Sequence, residues 1–330
     1  MRTPFIHIKT WPLVAVWCIW AYAVQAQAPL NILQAYQLSP FSMEPVMPAD
    51  SLTATLPFSR AGNLIVLRAK ADSIEGNFIL DTGAPGLILN HTYFRQYAVP
   101  QHMEEAETGG INGVVASNHP MELGLFKLGA FEYYRLPAHR INLAHLEKNK
   151  GIKIHGLLGM QLFNRFEMII DYANNLIHLH RRRAKAKAAN EHPFMRHLGK
   201  PTEVAIYINE GKIFTDACVN KQKLRFAIDT GAEVNVIDSR LGQKVLMKVA
   251  PGKPVQLTGT AANRTEAVLG HVQQIIIGSQ LFPTLPVVIT NLVYMSQFAQ
   301  REMDGMLGYD FLSAQLVGFN FALRKMYIAK

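Results

Sequence analysis

Residues 78–84 read Phe-Ile-Leu-Asp-Thr-Gly-Ala, and residues 226–232 read Phe-Ala-Ile-Asp-Thr-Gly-Ala. Each stretch begins as a short apolar run, which is typical of a buried strand, and then reaches an aspartate. An unpaired carboxylate is costly to bury, so an aspartate at such a place needs a partner. Because the same tetrapeptide occurs twice, we expect Asp81 and Asp229 to be each other's partner.

The surroundings of the two tetrapeptides repeat as well. An apolar-apolar-Gly turn ends 78 positions after Asp81, at Gly159, and another ends 79 positions after Asp229, at Gly308. A repeat of this length with almost no insertions predicts the duplication of one structural unit. The runs between these landmarks are short, rich in β-branched residues and separated by turn residues, which indicates strands. The sequence therefore predicts an all-β fold built from two similar units.

The motifs resemble those of the retropepsin-like aspartic proteases, in which Asp-Thr-Gly-Ala follows an apolar strand and an apolar-apolar-Gly turn precedes a short helix. The resemblance covers residues 62–180 and 205–330 and is strongest to exported bacterial members. It implies two acid-protease lobes that form an intrachain pseudo-dimer with the active site between them. It also implies an aspartic endopeptidase that hydrolyses peptide bonds with water and uses no metal or other cofactor.

Under this resemblance Asp81 and Asp229 are the catalytic dyad. Two carboxylates about one hydrogen bond apart can share one proton, so that one activates water while the other protonates the carbonyl oxygen. Glycine lets the backbone approach the carboxylates closely, and the resemblance implies that the threonines hydrogen-bond across the pseudo-twofold axis. The residues expected to support the dyad are therefore Thr82, Gly83, Thr230 and Gly231.

Two neighbours bear on the titration of the dyad. Ala84 and Ala232 offer no hydroxyl to the charged carboxylates, so we expect the dyad to titrate higher than in relatives with Ser or Thr there, with a mildly acidic optimum. Glu233, which stands where the first unit has Pro85, is expected to raise the titration further.

Substrate-binding candidates lie in two places. The glycine-containing tips around Gly110 and Gly259 are candidate flaps that close over a peptide. The residues just after the two apolar-Gly turns are candidate cleft walls, namely Met160, Tyr309 and Asp310.

The N-terminus reads as a signal peptide at residues 1–26, with basic Arg2 and Lys9 around an apolar run and small residues at the cleavage site. We expect an exported protein, periplasmic or secreted, that touches a membrane only if this segment stays uncleaved. Residues 27–60 are proline-dotted and are interpreted as an N-terminal arm or pro-segment. Cleavage would leave Cys218 as the lone cysteine, so no intramolecular disulfide is expected.

The net charge of +9 is concentrated in one segment. Residues 181–200 hold seven basic residues and one acid. The high isoelectric point therefore arises mainly from a connecting segment and gives no support to a nucleic-acid partner. The predicted division is a first lobe at 61–180, a basic linker at 181–203 and a second lobe at 204–330. We expect a monomer acting on a peptide or protein substrate.

Two alternatives remain open from the sequence. The chain could be a catalytically inactive peptide-binding protein on the same fold, or its halves could pair between chains. The two units are unequal, since Asp171 in the first is matched by Asn320 in the second.

Overall fold

The computed structural model describes residues 45–46, 52–84, 86–97, 108–110, 113–115, 119–182, 193–209, 211–258, 264–298 and 302–329. These residues form two β-rich lobes. Their helices are short, and no helix within these ranges is long and apolar enough to cross a membrane.

The first lobe contains twelve strands in chain order: β1 (Thr53–Pro57), β2 (Ser59–Ala61), β3 (Leu64–Ala71), β4 (Ile74–Leu80), β5 (Leu87–Asn90), β6 (Thr108–Gly110), β7 (Gly113–Val115), β8 (His119–Leu128), β9 (Phe131–Ile141), β10 (Gly156–Leu158), β11 (Phe166–Asp171) and β12 (Leu176–Arg181). Between them lie helices α1 (His91–Phe94) and α2 (Ala144–Lys150) and a 3₁₀ turn at Met160–Phe163.

The second lobe repeats this order with ten strands: β13 (Thr202–Asn209), β14 (Lys212–Val219), β15 (Gln222–Ile228), β16 (Val236–Asp238), β17 (Val249–Thr258), β18 (Arg264–Ile277), β19 (Gln280–Thr290), β20 (Gly305–Leu307), β21 (Leu316–Asn320) and β22 (Lys325–Ala329). Its helices are α3 (Gln243–Leu246), α4 (Val293–Phe298) and α5 (Tyr309–Leu312), and a 3₁₀ helix at Pro193–Leu198 precedes the lobe.

Both lobes carry the same central arrangement of three strands. In the first, β10 lies between β4, to which it is parallel, and β5, to which it is antiparallel. In the second, β20 lies in the same way between β15 and β16. The strand that leads to each aspartate is thus flanked by the strand that carries each apolar-apolar-Gly turn, which explains the matched spacings.

A continuous sheet joins the lobes, in the order β1-β12-β11-β21-β22-β13. Strand β11 of the first lobe pairs antiparallel with β21 of the second, with Met168 opposite Phe319 and Ile170 opposite Val317. At the centre of this register Ile169 faces Gly318. Because these two occupy equivalent positions in the repeat, the pseudo-twofold axis passes between them, and the predicted intrachain pseudo-dimer is confirmed.

Each lobe also has a small apolar cluster beside its aspartate, separate from the main core. In the first lobe the cluster includes Val66, Ile79 and Leu157, and in the second it includes Phe214, Ala227 and Met306. The side chains are therefore matched in place but not in size.

The segments around the lobes fall partly within the described ranges. β1 is the edge strand of the joining sheet and pairs with β12 along its whole length, so the end of the predicted arm at 27–60 is built into the fold. The 3₁₀ helix at Pro193–Leu198 contributes Phe194, Met195 and Leu198 to a cluster on the joining sheet. The predicted signal peptide at residues 1–26 and residues 183–192 of the predicted linker lie outside the described residues.

Candidate active site

The two aspartates stand at equivalent positions in the two lobes. The backbone N–H of Asp81 donates to the carbonyl of Leu158 at 3.0 Å, and that of Asp229 donates to the carbonyl of Leu307 at 3.0 Å. Each aspartate therefore continues its strand by one hydrogen bond before the chain turns at Thr-Gly. The predicted pair is brought together, since each carboxyl group lies against the Thr-Gly loop that follows the other aspartate and the two groups interact electrostatically.

The threonines that follow the aspartates tie the loops to one another. The N–H of Thr82 donates to Oγ1 of Thr230, and the N–H of Thr230 donates to Oγ1 of Thr82, both at 3.0 Å. Each hydroxyl then donates to a carbonyl of the opposite lobe at 2.9 Å, Thr82 to Ile228 and Thr230 to Leu80. Both threonines are buried, so these four bonds fix the separation of the aspartates beneath the surface of the protein.

Glycine is required at positions 83 and 231 because the backbone there closely approaches the carboxyl group of the opposite lobe. A Cβ atom added at Gly83 would lie 2.6 Å from Oδ2 of Asp229, and one added at Gly231 would lie 2.7 Å from Cγ of Asp81. Their backbone N–H groups donate to Oδ1 of the aspartate in their own loop, at 2.9 Å and 2.8 Å. The four supporting residues expected from the sequence thus surround the dyad.

Burial dominates the electrostatics of the dyad. Desolvation, followed by the charge of Asp229 and the hydrogen bond to it, raises the pKa of Asp81 to about 8. Desolvation also raises the pKa of Asp229, and it is opposed by the N–H of Gly231, the carboxyl of Asp81, the positive charge of Lys212 and the N–H of Gly83. Two carboxyls this close cannot both be ionised, so they titrate as a pair that holds one proton over a wide pH range.

Glu233 was expected to raise the titration of the dyad, but its contacts indicate a different role. Its carboxylate turns to the first lobe, where it forms an ion pair with Lys150 and accepts the N–H of Asn63 at 2.8 Å. Asn63 also donates through Nδ2 to the carbonyl of Glu233 at 3.2 Å. Because its charge is paired with a lysine, Glu233 acts as a contact between the lobes instead of an extra negative charge on the dyad.

The candidate wall residues occupy different surroundings. Met160 is 2% exposed and packs within the main core. Tyr309 lies at the lobe boundary, where its hydroxyl accepts from Arg60 at 3.2 Å and its ring stands edge-on to Tyr172 at 5.4 Å. Asp310 accepts the N–H of Asn235 at 3.3 Å, and partial burial raises its pKa.

Of the residues named for the two candidate flaps, Gly110 lies within the described ranges and Gly259 does not. Gly110 ends strand β6 of a two-stranded hairpin with β7, and β6 approaches helix α4 of the second lobe to within 8 Å between Cα atoms. This hairpin of the first lobe therefore reaches across to the second. Gly259 lies outside the described residues.

A cavity beside Asp229 is lined by Lys212, which was not among the residues predicted from the sequence. Its lining comprises Gly83, Lys212, Ala227, Ile228, Asp229, Met295, Met303 and Met306. Met295 belongs to α4, so the cavity extends from the dyad to the helix that the hairpin approaches. Comparison of the two repeats would have found Lys212, because the register gives its position to Leu64 in the first lobe.

Comparison with known proteins gives the following matches. The sequence profile of a family described as aspartyl protease matches residues 67–162 and 215–311, more than half of the chain and once in each lobe. A search of curated proteins gives no significant match.

Among solved structures, an aspartic proteinase from Irpex lacteus is 12% identical, with a TM-score of 0.47, and the match covers 84% of this chain and 97% of that one. Basic 7S globulin from soybean is 12% identical, with a TM-score of 0.45, and the match covers 84% of this chain and 94% of that one. Because the profile matches both lobes and together more than half of the residues, the chain belongs to the aspartyl protease family.

Proposed function

We propose that this protein is an aspartic endopeptidase whose catalytic groups are Asp81 and Asp229. The observation that carries the proposal is the close approach of the two carboxyls, each of which lies against the Thr-Gly loop of the opposite lobe, with desolvation raising the pKa of both. A pair of aspartates that served only to join the lobes would gain nothing from this repulsion, and amide side chains would join them at lower cost.

The geometry supports a mechanism in which water is the nucleophile. The ionised carboxylate takes a proton from the water as its oxygen attacks the peptide carbonyl carbon, and the protonated carboxyl gives its proton to the carbonyl oxygen. Collapse of the tetrahedral intermediate breaks the C–N bond and delivers a proton to the leaving nitrogen. The N–H groups of Gly83 and Gly231 hold the carboxylates in place through these steps.

The substrate we propose is an extended peptide or protein segment lying between the lobes. An extended peptide can add to exposed backbone as a further strand, and the β6–β7 hairpin offers such an edge above the boundary of the lobes. Gly110, together with Gly259 on the matching tip of the second lobe, remains our candidate for the backbone that covers the peptide.

The alternative function is peptide binding without cleavage on the same fold. A peptide library incubated with the purified protein, with product termini read by mass spectrometry, separates the two. We expect cleavage that is blocked by a statine-type transition-state mimic. Binding of peptides without any cleavage between pH 3 and pH 8 would favour the alternative.

We further propose that the protein is exported, periplasmic or secreted, and acts as a monomer. Export rests on the signal-like pattern of residues 1–26. The monomer is supported by the pairing of β11 with β21, which joins the two halves of one chain. If the halves paired between chains instead, mixing inactive Asp81→Asn and Asp229→Asn proteins would restore activity.

A further inference from the structure

The two lobes differ at two matched positions in or next to the apolar clusters beside the aspartates. In the first lobe Val66 pairs with Ile79, and Leu64 lies two residues before Val66. In the second lobe Phe214 pairs with Ala227, and Lys212 lies two residues before Phe214. The register therefore matches Leu64 with Lys212 and Ile79 with Ala227.

These exchanges change what lies next to each aspartate. Leu64 and Ile79 are 3% and 1% exposed and fill the first cluster with hydrocarbon. On the second side, the short side chain of Ala227 leaves a cavity that is lined by both Lys212 and Asp229. The repeat thus places a cation beside Asp229 at the position that an apolar side chain occupies beside Asp81.

The backbone does not favour Asp229 as the charged partner. Oδ1 of Asp81 accepts two N–H groups of its own loop, from Gly83 at 2.9 Å and Ala84 at 3.1 Å. Oδ1 of Asp229 accepts the N–H of Gly231 at 2.8 Å, and the N–H of Gly83 also stabilises the charged form of Asp229. Hydrogen bonds to a carboxylate stabilise its ionised form, and two backbone N–H groups act on each carboxyl, so backbone contacts alone do not place the negative charge on Asp229.

We propose that Lys212 is a positioning residue that keeps the negative charge of the resting dyad on Asp229 and the shared proton on Asp81. This assignment rests on the proposed aspartic protease function and makes Asp229 the group that activates water. A nearby opposite charge favours the ionised carboxylate, and the low polarity of a buried site screens that attraction poorly.

Other titratable groups around the dyad do not supply this bias. Tyr172 interacts with Asp229, and desolvation raises the pKa of its phenol well above the ordinary value, so it is neutral. Arg60 lies against the rings of Tyr172 and Tyr309 and donates to the Tyr172 carbonyl. The charge of Glu233 is paired with Lys150. From α4 and the turn before β20, the cavity receives methionines.

The test titrates each carboxyl alone. In Asp81→Asn protein the ¹³C-carboxyl NMR signal of Asp229 is followed against pH, and in Asp229→Asn protein that of Asp81. Adding Lys212→Leu, which reproduces the residue of the first lobe, should raise the midpoint of Asp229 by on the order of one pH unit and that of Asp81 by clearly less. Equal shifts, or none, would overturn the assignment.

Three further variants serve as controls for this titration. Lys212→Gln, neutral but polar, should repeat the shift even if Lys212→Leu does not fold. Lys212→Arg should keep the original midpoint, and Lys253→Leu, at an exposed position of β17, should leave it unchanged. These titrations need no substrate, so lack of peptide cleavage by the wild type would count against the proposed function while the role of Lys212 is still decided.

Discussion

Thr82 and Thr230 each accept the other's backbone N–H at 3.0 Å, across the boundary between the lobes. The bonds are symmetric, buried and made by side chains that directly follow the two aspartates. They therefore couple the integrity of the site to the docking of the lobes.

The threonine bonds can be removed with little change of shape. Thr230→Val keeps the volume but deletes a hydroxyl that accepts from Thr82 and donates to Leu80. Because the partners stay buried without water, we expect a loss of about 2–4 kcal/mol in the free energy of unfolding, measured by urea denaturation. Thr230→Ser, which keeps the hydroxyl, should lose clearly less, and equal losses would show that the methyl group matters more than the bonds.

Stability should depend on pH through the dyad. The pKa of Asp81 is raised in the folded protein to about 8, so the folded state holds a proton that the unfolded chain has released. The contribution of Asp81 is therefore fully present below about pH 4 and is lost as pH rises toward 8.

This dependence can be isolated by substitution. Asp81→Asn cannot titrate, so the variant should gain stability relative to wild type as pH is raised from 4 to 8, measured as the difference in Tm. Glu75→Gln, on an exposed ion pair with Arg68, is the control and should show no such trend. A Tm difference for Asp81→Asn that stays constant with pH would contradict the raised pKa.

The joining sheet explains why Asp171 and Asn320 differ. Asn320 donates through Nδ2 to the fully buried Glu167 at 2.6 Å, and Arg182 forms an ion pair with the same carboxylate. Asn320→Asp would restore the symmetry of the repeat but place two carboxyls together. We expect a loss of roughly 3–5 kcal/mol near neutral pH, measured by chemical denaturation.

The loss should become smaller in acid, where one carboxyl is protonated. Asn320→Leu serves as the neutral comparison and should show a loss with less dependence on pH. An Asn320→Asp protein as stable as the wild type at pH 7 would contradict the burial of Glu167.

The contact between Glu233 and Lys150 should contribute modestly to the free energy of unfolding, and this contribution should depend on salt. The side chains are 33% and 15% exposed, so we expect Lys150→Met to lower the free energy of unfolding by on the order of 1 kcal/mol, and less at high salt. The double exchange Lys150→Glu with Glu233→Lys should recover part of the loss. Absence of any recovery would indicate that the hydrogen bond to Asn63, not the ion pair, carries the contact.

The sequence predicted those parts of the site that repeat or lie within a few residues of the aspartates. Asp81 and Asp229 were recognisable because each follows an apolar strand and both have the same neighbours. The partner of Glu233 was not, because Lys150 is 83 positions away and lies in the other lobe. Lys212 could have been found by aligning the repeats, since it lies 17 positions before Asp229 as Leu64 does before Asp81, but only the structure places it in a cavity with Asp229.

The most direct test of the account is the rate of peptide cleavage by wild type, Asp81→Asn and Asp229→Asn proteins, compared on one substrate at mildly acidic pH. If the two aspartates share a proton and activate water, either substitution should lower kcat/KM by a factor on the order of 10⁴ while circular dichroism stays unchanged. Cleavage at the wild-type rate by either folded variant would contradict the account.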